Sequence, residues 1–219
     1  MNRLKKYKWA LLVLVLHLAA VLWFATQLPE GAKVPIHWNY LNQIDGWTGR
    51  TTGLFWGIGL NVLMFLMLYL LHWYSPWYNK YAGRFEKILP PLTTTLLACF
   101  STISLYSLYV AKWGEVSGVK LILVLIGLFL FFFGNLMPKV PKNMFVGIRT
   151  PWTIANELVW ERTHRLGGWL FVTGGIVMIL KGLILTGSAL FQNITTVLAL
   201  GCLLYPLPYS FIQYKKLVK

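Results

Sequence analysis

The chain reads as an all-α membrane protein, a six-transmembrane-helix bundle with structured loops at both ends. Three observations predict it. Hydrophobic residues make up 57% of the 219 and charged residues only 12%, about half the charged share of a soluble domain. Six apolar runs approach the ~20 residues that a helix needs to cross a bilayer core. The basic residues fall in alternate loops, which gives the bundle a direction.

The first run, 9–27, follows Arg3, Lys5, Lys6 and Lys8. It is too long for a signal-peptide core, and no small-x-small cleavage site follows it, so it is read as a retained span. The other runs are 53–73, 92–111, 119–137, 166–185 and 189–211. Gly53 and Gly57 form a GxxxG pair in the second, and Gly174, Gly175 and Gly182 thin the fifth, so close helix approach is expected there. His17 and Asn61 are intramembrane polar groups and should face the bundle. Ser101, Ser104 and Ser107 form a polar stripe for inter-helix hydrogen bonding. Pro206 and Pro208 should kink the last helix. The chain divides into a first span with its loop module (1–52), spans two to four (53–133), and the fourth loop with the last two spans (134–219).

Fifteen of the twenty Lys and Arg residues lie in the N-terminus, the second loop, the fourth loop and the C-terminus; five lie on the other side. The positive-inside rule therefore places both termini and the fourth loop in the cytoplasm. The formal charge of +14 is then a basic inner-leaflet belt facing anionic lipid rather than a nucleic-acid surface. Lys181, near a span end, is expected to snorkel outward. Cys99 and Cys202 lie within apolar runs, where a disulfide or zinc framework is not expected.

The first loop, PEGAKVPIHWNYLNQIDGWTGRT, should face outside. Asp45-Gly46 is a turn signal with Val34–Asn39 before it and Trp47 after it. A segment folding back on itself would gather His37, Trp38, Asn39, Asp45 and Trp47 at the membrane surface. Two readings stand side by side: an interfacial aromatic belt tied by a His–Asp pair, or a contact site for an extracellular amphipathic peptide.

The fourth loop is long and carries its own pattern, so function is expected there. Pro138 and Pro141 stop the fourth span, and residues 143–148 read as an extended stretch ending at Arg149. Thr150 should cap a helix whose first residue is Pro151. Trp152, Ala155, Val159 and Leu166 would share one face, with Glu157, Glu161 and His164 opposite. This helix would lie on the inner leaflet and turn into the fifth span at Gly167–Gly168. Glu157, Glu161 and His164 are candidates for a metal or acid–base site, although ligands from other helices are normally required. The plainer alternative pairs the carboxylates with Arg149, Arg162 or Arg165. His37 and Asp45 cannot complete such a site across ~30 Å of hydrocarbon.

These residues resemble a known family. Gly134-Asn135, Met137-Pro138-Lys139, Pro141, Asn143 and Phe145-Val146-Gly147-Ile148-Arg149-Thr150-Pro151-Trp152-Thr153 resemble the signature of the SdpI family of bacterial immunity proteins. Asn156-Glu157, Val159-Trp160, Thr163-His164-Arg165 and Gly167-Gly168 continue it. The outer segment VPIHWN…DGW resembles the short N-terminal domain of unknown function that accompanies the family. It departs in running Tyr40-Leu41-Asn42-Gln43 where a glycine is usual. The resemblance implies a multi-span cell-membrane protein that protects against a secreted peptide toxin and needs no cofactor. It also implies signalling by capture of a small cytoplasmic autorepressor. His37, Trp38, Asn39, Asp45 and Trp47 would then meet the toxin. Asn135, Arg149, Thr150, Pro151, Trp152, Asn156, Glu157, Glu161, His164 and Arg165 would form the cytoplasmic functional loop. The alternatives are a membrane-embedded enzyme, perhaps metal-dependent, acting on a peptide or lipid, and a small transporter or channel. No HExxH, GxSxG or paired intramembrane aspartates support the former, and sparse charge within the spans argues against the latter.

Overall fold

A computed structural model describes residues 3–39, 43–115, 120–184 and 189–217. Its helices are α1 (Arg3–Lys6), α2 (Lys8–Gln27), α3 (Arg50–Tyr69), α4 (Leu71–Tyr74), α5 (Pro76–Lys80), α6 (Ala82–Trp113), α7 (Leu121–Leu136), α8 (Pro151–Ala155), α9 (Glu157–Leu183), α10 (Ala189–Leu204) and α11 (Pro206–Leu217). Strands β1 (Lys33–Trp38) and β2 (Ile44–Gly49) pair antiparallel between α2 and α3. Among the described residues, six helical segments are long and apolar enough to cross a membrane, in the order the hydropathy predicts.

Four span edges depart from expectation. The second span ends at Tyr69, and Leu71–Tyr74 forms a separate turn of helix. The third begins ten residues early, at Ala82, and runs through Pro90 and Pro91. Burial of Phe85, Ile88 and Leu89 holds helix across two missing backbone donors. The fifth begins at Glu157 and continues without interruption to Leu183. Gly167–Gly168 is therefore not a turn, and the expected loop helix is split between α8 and the first turns of α9. The last span breaks at Tyr205, so that Pro206 opens α11 and Pro208 sits within its first turn. The expected span edges at 119 and 185 lie outside the described residues.

Glycine sets the tightest helix pair. A Cβ on Gly127 would stand 2.6 Å from the Gly175 carbonyl, and one on Gly175 would stand 2.6 Å from that of Gly127. One turn-pair along, Gly134 and Gly168 meet each other's carbonyls at 2.8 Å. Backbones of α7 and α9 thus touch directly, which only glycine allows. Gly57 lies against Ser104 of α6, whereas Gly53 faces Val34 of β1 rather than a helix. Of the serine stripe, Ser101 bridges helices. Asn61 donates to its Oγ and to His17 Nδ1, each at 3.0 Å, and all three side chains are buried. Lys181 does not snorkel outward; it is 3% exposed and donates to Thr196 of α10 at 2.5 Å.

The hairpin packs at one end of the bundle and the 137–156 segment at the other. Val34 joins Val21, Phe24, Leu28, Leu54 and Leu108 in one buried cluster. Val140 joins Ile88 and Trp160 in another. Helix α6 contributes to both, and so runs from one folded loop to the other.

Candidate functional site

At the hairpin end, the predicted turn is misplaced. Asp45-Gly46 lies inside β2, with Gly46 opposite His37 and irregular register between Pro35 and Trp38. A Cβ on Gly46 would stand 2.8 Å from that of His37. The glycine therefore serves close strand approach at a bulge, not chain reversal. Beyond the strand pairs, the Asn39 N–H donates to the Gln43 carbonyl at 2.9 Å and the Gln43 N–H to Asn39 Oδ1 at 2.9 Å. Residues 40–42, where the chain departs from the family pattern, lie outside the described residues.

The five expected contact residues do not form one cluster. His37 Nδ1 and Asp45 Oδ1 pair at 2.5 Å on the exposed surface. Trp38 turns inward, stacks on Tyr106 at 6.0 Å and donates Nε1–H to Glu115 at 3.2 Å. Trp47 stands 50% exposed, as does Ile36 at 57%. The hairpin is tethered below by Arg50, whose guanidinium donates to the Leu28 and Ala25 carbonyls at 2.9 and 2.5 Å. Those carbonyls end α2 and lack helical donors of their own, which explains a basic residue there.

At the other end, the loop is built around two side chains. Asn143, fully buried, accepts from the Phe145 and Val146 N–H groups at 2.7 Å each. It also donates to the Pro141 and Val146 carbonyls at 2.8 and 3.0 Å. This satisfies the backbone locally and makes 143–148 a compact coil of bends, not the expected extended stretch. Gly147 follows at φ 120°, a conformation open to glycine. The Ile148 N–H is thereby aimed at His164 Nε2, 3.0 Å away.

His164 is the second hub. It is 1% exposed and stacks on Trp160, with ring centroids 3.9 Å apart. Nε2 accepts from Ile148, and Nδ1 faces the Trp160 carbonyl at 2.8 Å and must donate to it. The ring is thus neutral, with its proton on Nδ1 and no lone pair left for a metal. Trp160 in turn donates Nε1–H to the Val140 carbonyl at 3.0 Å.

The candidate metal or acid–base site of Glu157, Glu161 and His164 is not assembled. Glu157 faces Lys80 at 3.6 Å and Glu161 faces Arg84 at 3.4 Å, on the surface. His164 points into the core. Among the described residues, no three His, Cys, Asp or Glu side chains are grouped to hold a metal ion. The carboxylates' partners come from the second loop and α6, not from Arg149, Arg162 or Arg165. Arg149 donates to the Met144 carbonyl at 2.5 Å, Arg162 donates to Gln213 of α11 at 3.0 Å, and Arg165 is exposed.

Capping followed expectation. Thr150 accepts from Thr153 N–H at 3.2 Å ahead of Pro151. Asn156 was expected in the loop but not as a cap; its Oδ1 accepts from Leu158 and Val159 N–H at 2.9 and 3.1 Å and starts a new helix. That break puts Trp152, Ala155, Val159 and Leu166 on two helices rather than one face. Trp152 packs on Phe211, with ring centroids 4.9 Å apart, and Thr150 bonds Ser210 at 3.0 Å, so α11 closes the module. Asn135, exposed, donates to the Phe131 carbonyl one turn back at 2.9 Å.

The residues that sequence reasoning missed are Asn143, Gly147 and Trp160 as organisers, and Lys80 and Arg84 as partners. Asn143 two residues before a run of amides was a readable turn signal. The pairings across more than seventy residues had no local signal.

Fold and loops together define a multi-pass membrane protein whose ordered polar surface is concentrated in two modules, one at each end. Residues 139–210 match the model of the SdpI/YfhL protein family, and residues 12–63 match that of a domain of unknown function, DUF1648. Immunity protein SdpI of Bacillus subtilis (strain 168) is 26% identical over 190 residues, covering 87% of this chain and 86% of that protein. No solved structure matches. The chain is thus similar to the SdpI/YfhL family over its last third, and to an immunity protein over most of its length. The first matched segment covers most of α2, the hairpin and much of α3; the second runs from the 137–139 turn into α11.

Proposed function

We propose that this protein confers resistance to a secreted amphipathic peptide toxin as a non-enzymatic membrane receptor. The hairpin would face the medium, with the exposed His37, Asp45 and Trp47 supplying the contact surface and Trp38 and Asn39 supporting it. The Asn143–His164 module would face the cytosol and present Arg149, Arg165 and the neighbouring basic side chains to a small repressor protein. One observation carries this reading. Two folded polar modules sit at opposite ends of a single helix, α6, which stacks on Trp38 at one end and pairs with Glu161 at the other. The excess of basic residues at the module end supports the orientation.

The test is survival under the toxin. Trp47→Ala removes an exposed ring and leaves the tether and the Trp38 stack intact. Resistance should fall at least tenfold with unchanged membrane abundance. Full resistance in Trp47→Ala, His37→Ala and Asp45→Ala alike would reject the hairpin as the contact surface.

A further inference from the structure

We propose that the recess between α1, α4 and α6 binds a phosphate group, supplied by the headgroup of an anionic lipid. The recess encloses about 450 Å³ and is lined by Arg3, Lys6, Tyr7, His72, Tyr78 and Glu86, among others. Arg3 and Lys6 precede the first residue of α2, and His72 follows the last of α3. Three nitrogen bases thus converge at the boundary where two spans leave the hydrocarbon, which is the depth of a lipid phosphate. Basic recesses between helix ends at this depth suit anionic headgroups.

The donors are held before any ligand arrives. Arg3 Nη2 donates to the Tyr69 carbonyl at 2.9 Å, and the guanidinium lies over the Tyr69 and Tyr78 rings, 5.2 and 5.5 Å from their centroids. That bond uses one of its five N–H groups and a hydrogen bond with Tyr7 another, which leaves three. Among the described residues, Arg3 enters no ion pair within 4 Å, and the Glu86 carboxylate, held by Lys6, feels its charge only at longer range. His72 faces the same carbonyl through Nδ1 at 3.1 Å, leaving Nε2 for the recess. Tyr7 and Tyr78, 2% and 8% exposed, form a rigid aromatic wall. A guanidinium fork fixed on a carbonyl and two rings, with donors to spare, suits a phosphate better than a single carboxylate.

Among the described residues that line the recess, Glu86 is the one opposing group. It holds Lys6 at 2.8 Å, with its side chain 52% exposed. A bound phosphate would share Lys6 with it and feel its charge. That gives the proposal a signature opposite in sign to a merely structural role. Removing Glu86 weakens the resting contact yet should strengthen phosphate binding.

The experiment places purified protein in nanodiscs of mixed phosphatidylglycerol and phosphatidylcholine and measures the lipid retained by native mass spectrometry. Wild-type protein should retain the anionic lipid preferentially. Arg3→Ala and Lys6→Ala should each lower the preference about fivefold, and Glu86→Gln should raise it. Lys5→Ala, an exposed charge outside the recess, should leave it unchanged. A second arm adds inorganic phosphate to lipid-free protein in detergent. A rise in Tm that is lost in Lys6→Ala, with no lipid preference, would assign the site to soluble phosphate instead of lipid. Equal retention of both lipids with no effect of phosphate would overturn the proposal. So would a Lys5→Ala loss as large as that of Arg3→Ala, because the attraction would then be diffuse.

Discussion

His164 shows how much one side chain settles. Its two nitrogens complete hydrogen bonds to Ile148 and Trp160, and its face covers the Trp160 ring. Replacing it with alanine would strand a backbone N–H and open a void beside a buried tryptophan. A cost of about 2–4 kcal/mol is expected, read as a lower Tm in detergent and lower membrane abundance. EDTA should leave the wild-type Tm unchanged, because neither ring nitrogen is available. A chelator-sensitive Tm would contradict the assigned tautomer. The exposed pairs Lys80–Glu157 and Arg84–Glu161 are different in kind. With side chains 43–58% exposed, both pairs are screened by solvent and add little to stability. Glu161→Gln should therefore shift the Tm by only a degree or two. Buried hydrogen bonds hold the loop, and the ion pairs only trim its edge. Gly147→Ala belongs with His164. It forces a Cβ onto a positive φ and into the imidazole, so it should destabilise comparably.

At the scale of the element, α7 and α9 form a closely packed pair. Their contact is backbone on backbone at Gly127–Gly175 and Gly134–Gly168, so no rotamer change can absorb an added side chain. Gly175→Leu should prevent stable insertion or sharply lower abundance on immunoblots. Gly59→Leu on α3, where a Cβ meets nothing within 4 Å, should be tolerated; equal loss in both would show that the contact is not what matters. The hairpin is a weaker element. An isolated two-stranded hairpin is marginal in water, and this one relies on Val34, Trp38 and the Arg50 tether to hold it on α3 and α6. Arg50→Ala should loosen the hairpin without unfolding the bundle, seen as faster amide exchange over 33–49 against unchanged protection in α7 and α9.

Across the whole molecule, α6 packs against both modules. Pro90 and Pro91 interrupt its hydrogen-bond ladder near the module end, a place where bending costs least. Sidedness is the prediction on which the functional reading stands. With Cys99 and Cys202 replaced, Glu30→Cys should react with an impermeant maleimide in intact cells, and Met144→Cys only after lysis. Both positions are exposed. The reverse pattern would turn the protein over and remove the hairpin from the toxin's side.

The amino-acid sequence by itself determined the six spans, their order, the polar character of both end modules, and the Thr150–Pro151 helix start. These follow from hydropathy and from capping between neighbours, which are local properties. It also carried the family's motif, which was readable as a string of residues without revealing what each one does. Only the tertiary structure decided that His164 is a buried hub rather than a ligand, that Asp45-Gly46 lies in a strand, and that Glu157 and Glu161 meet Lys80 and Arg84. It alone showed Gly167–Gly168 inside a continuous helix against α7. Each of these depends on which distant backbone approaches. A glycine, a histidine or a carboxylate has the same local propensity whether its neighbour is water, lipid or another helix, so spacing along the chain could not choose among them.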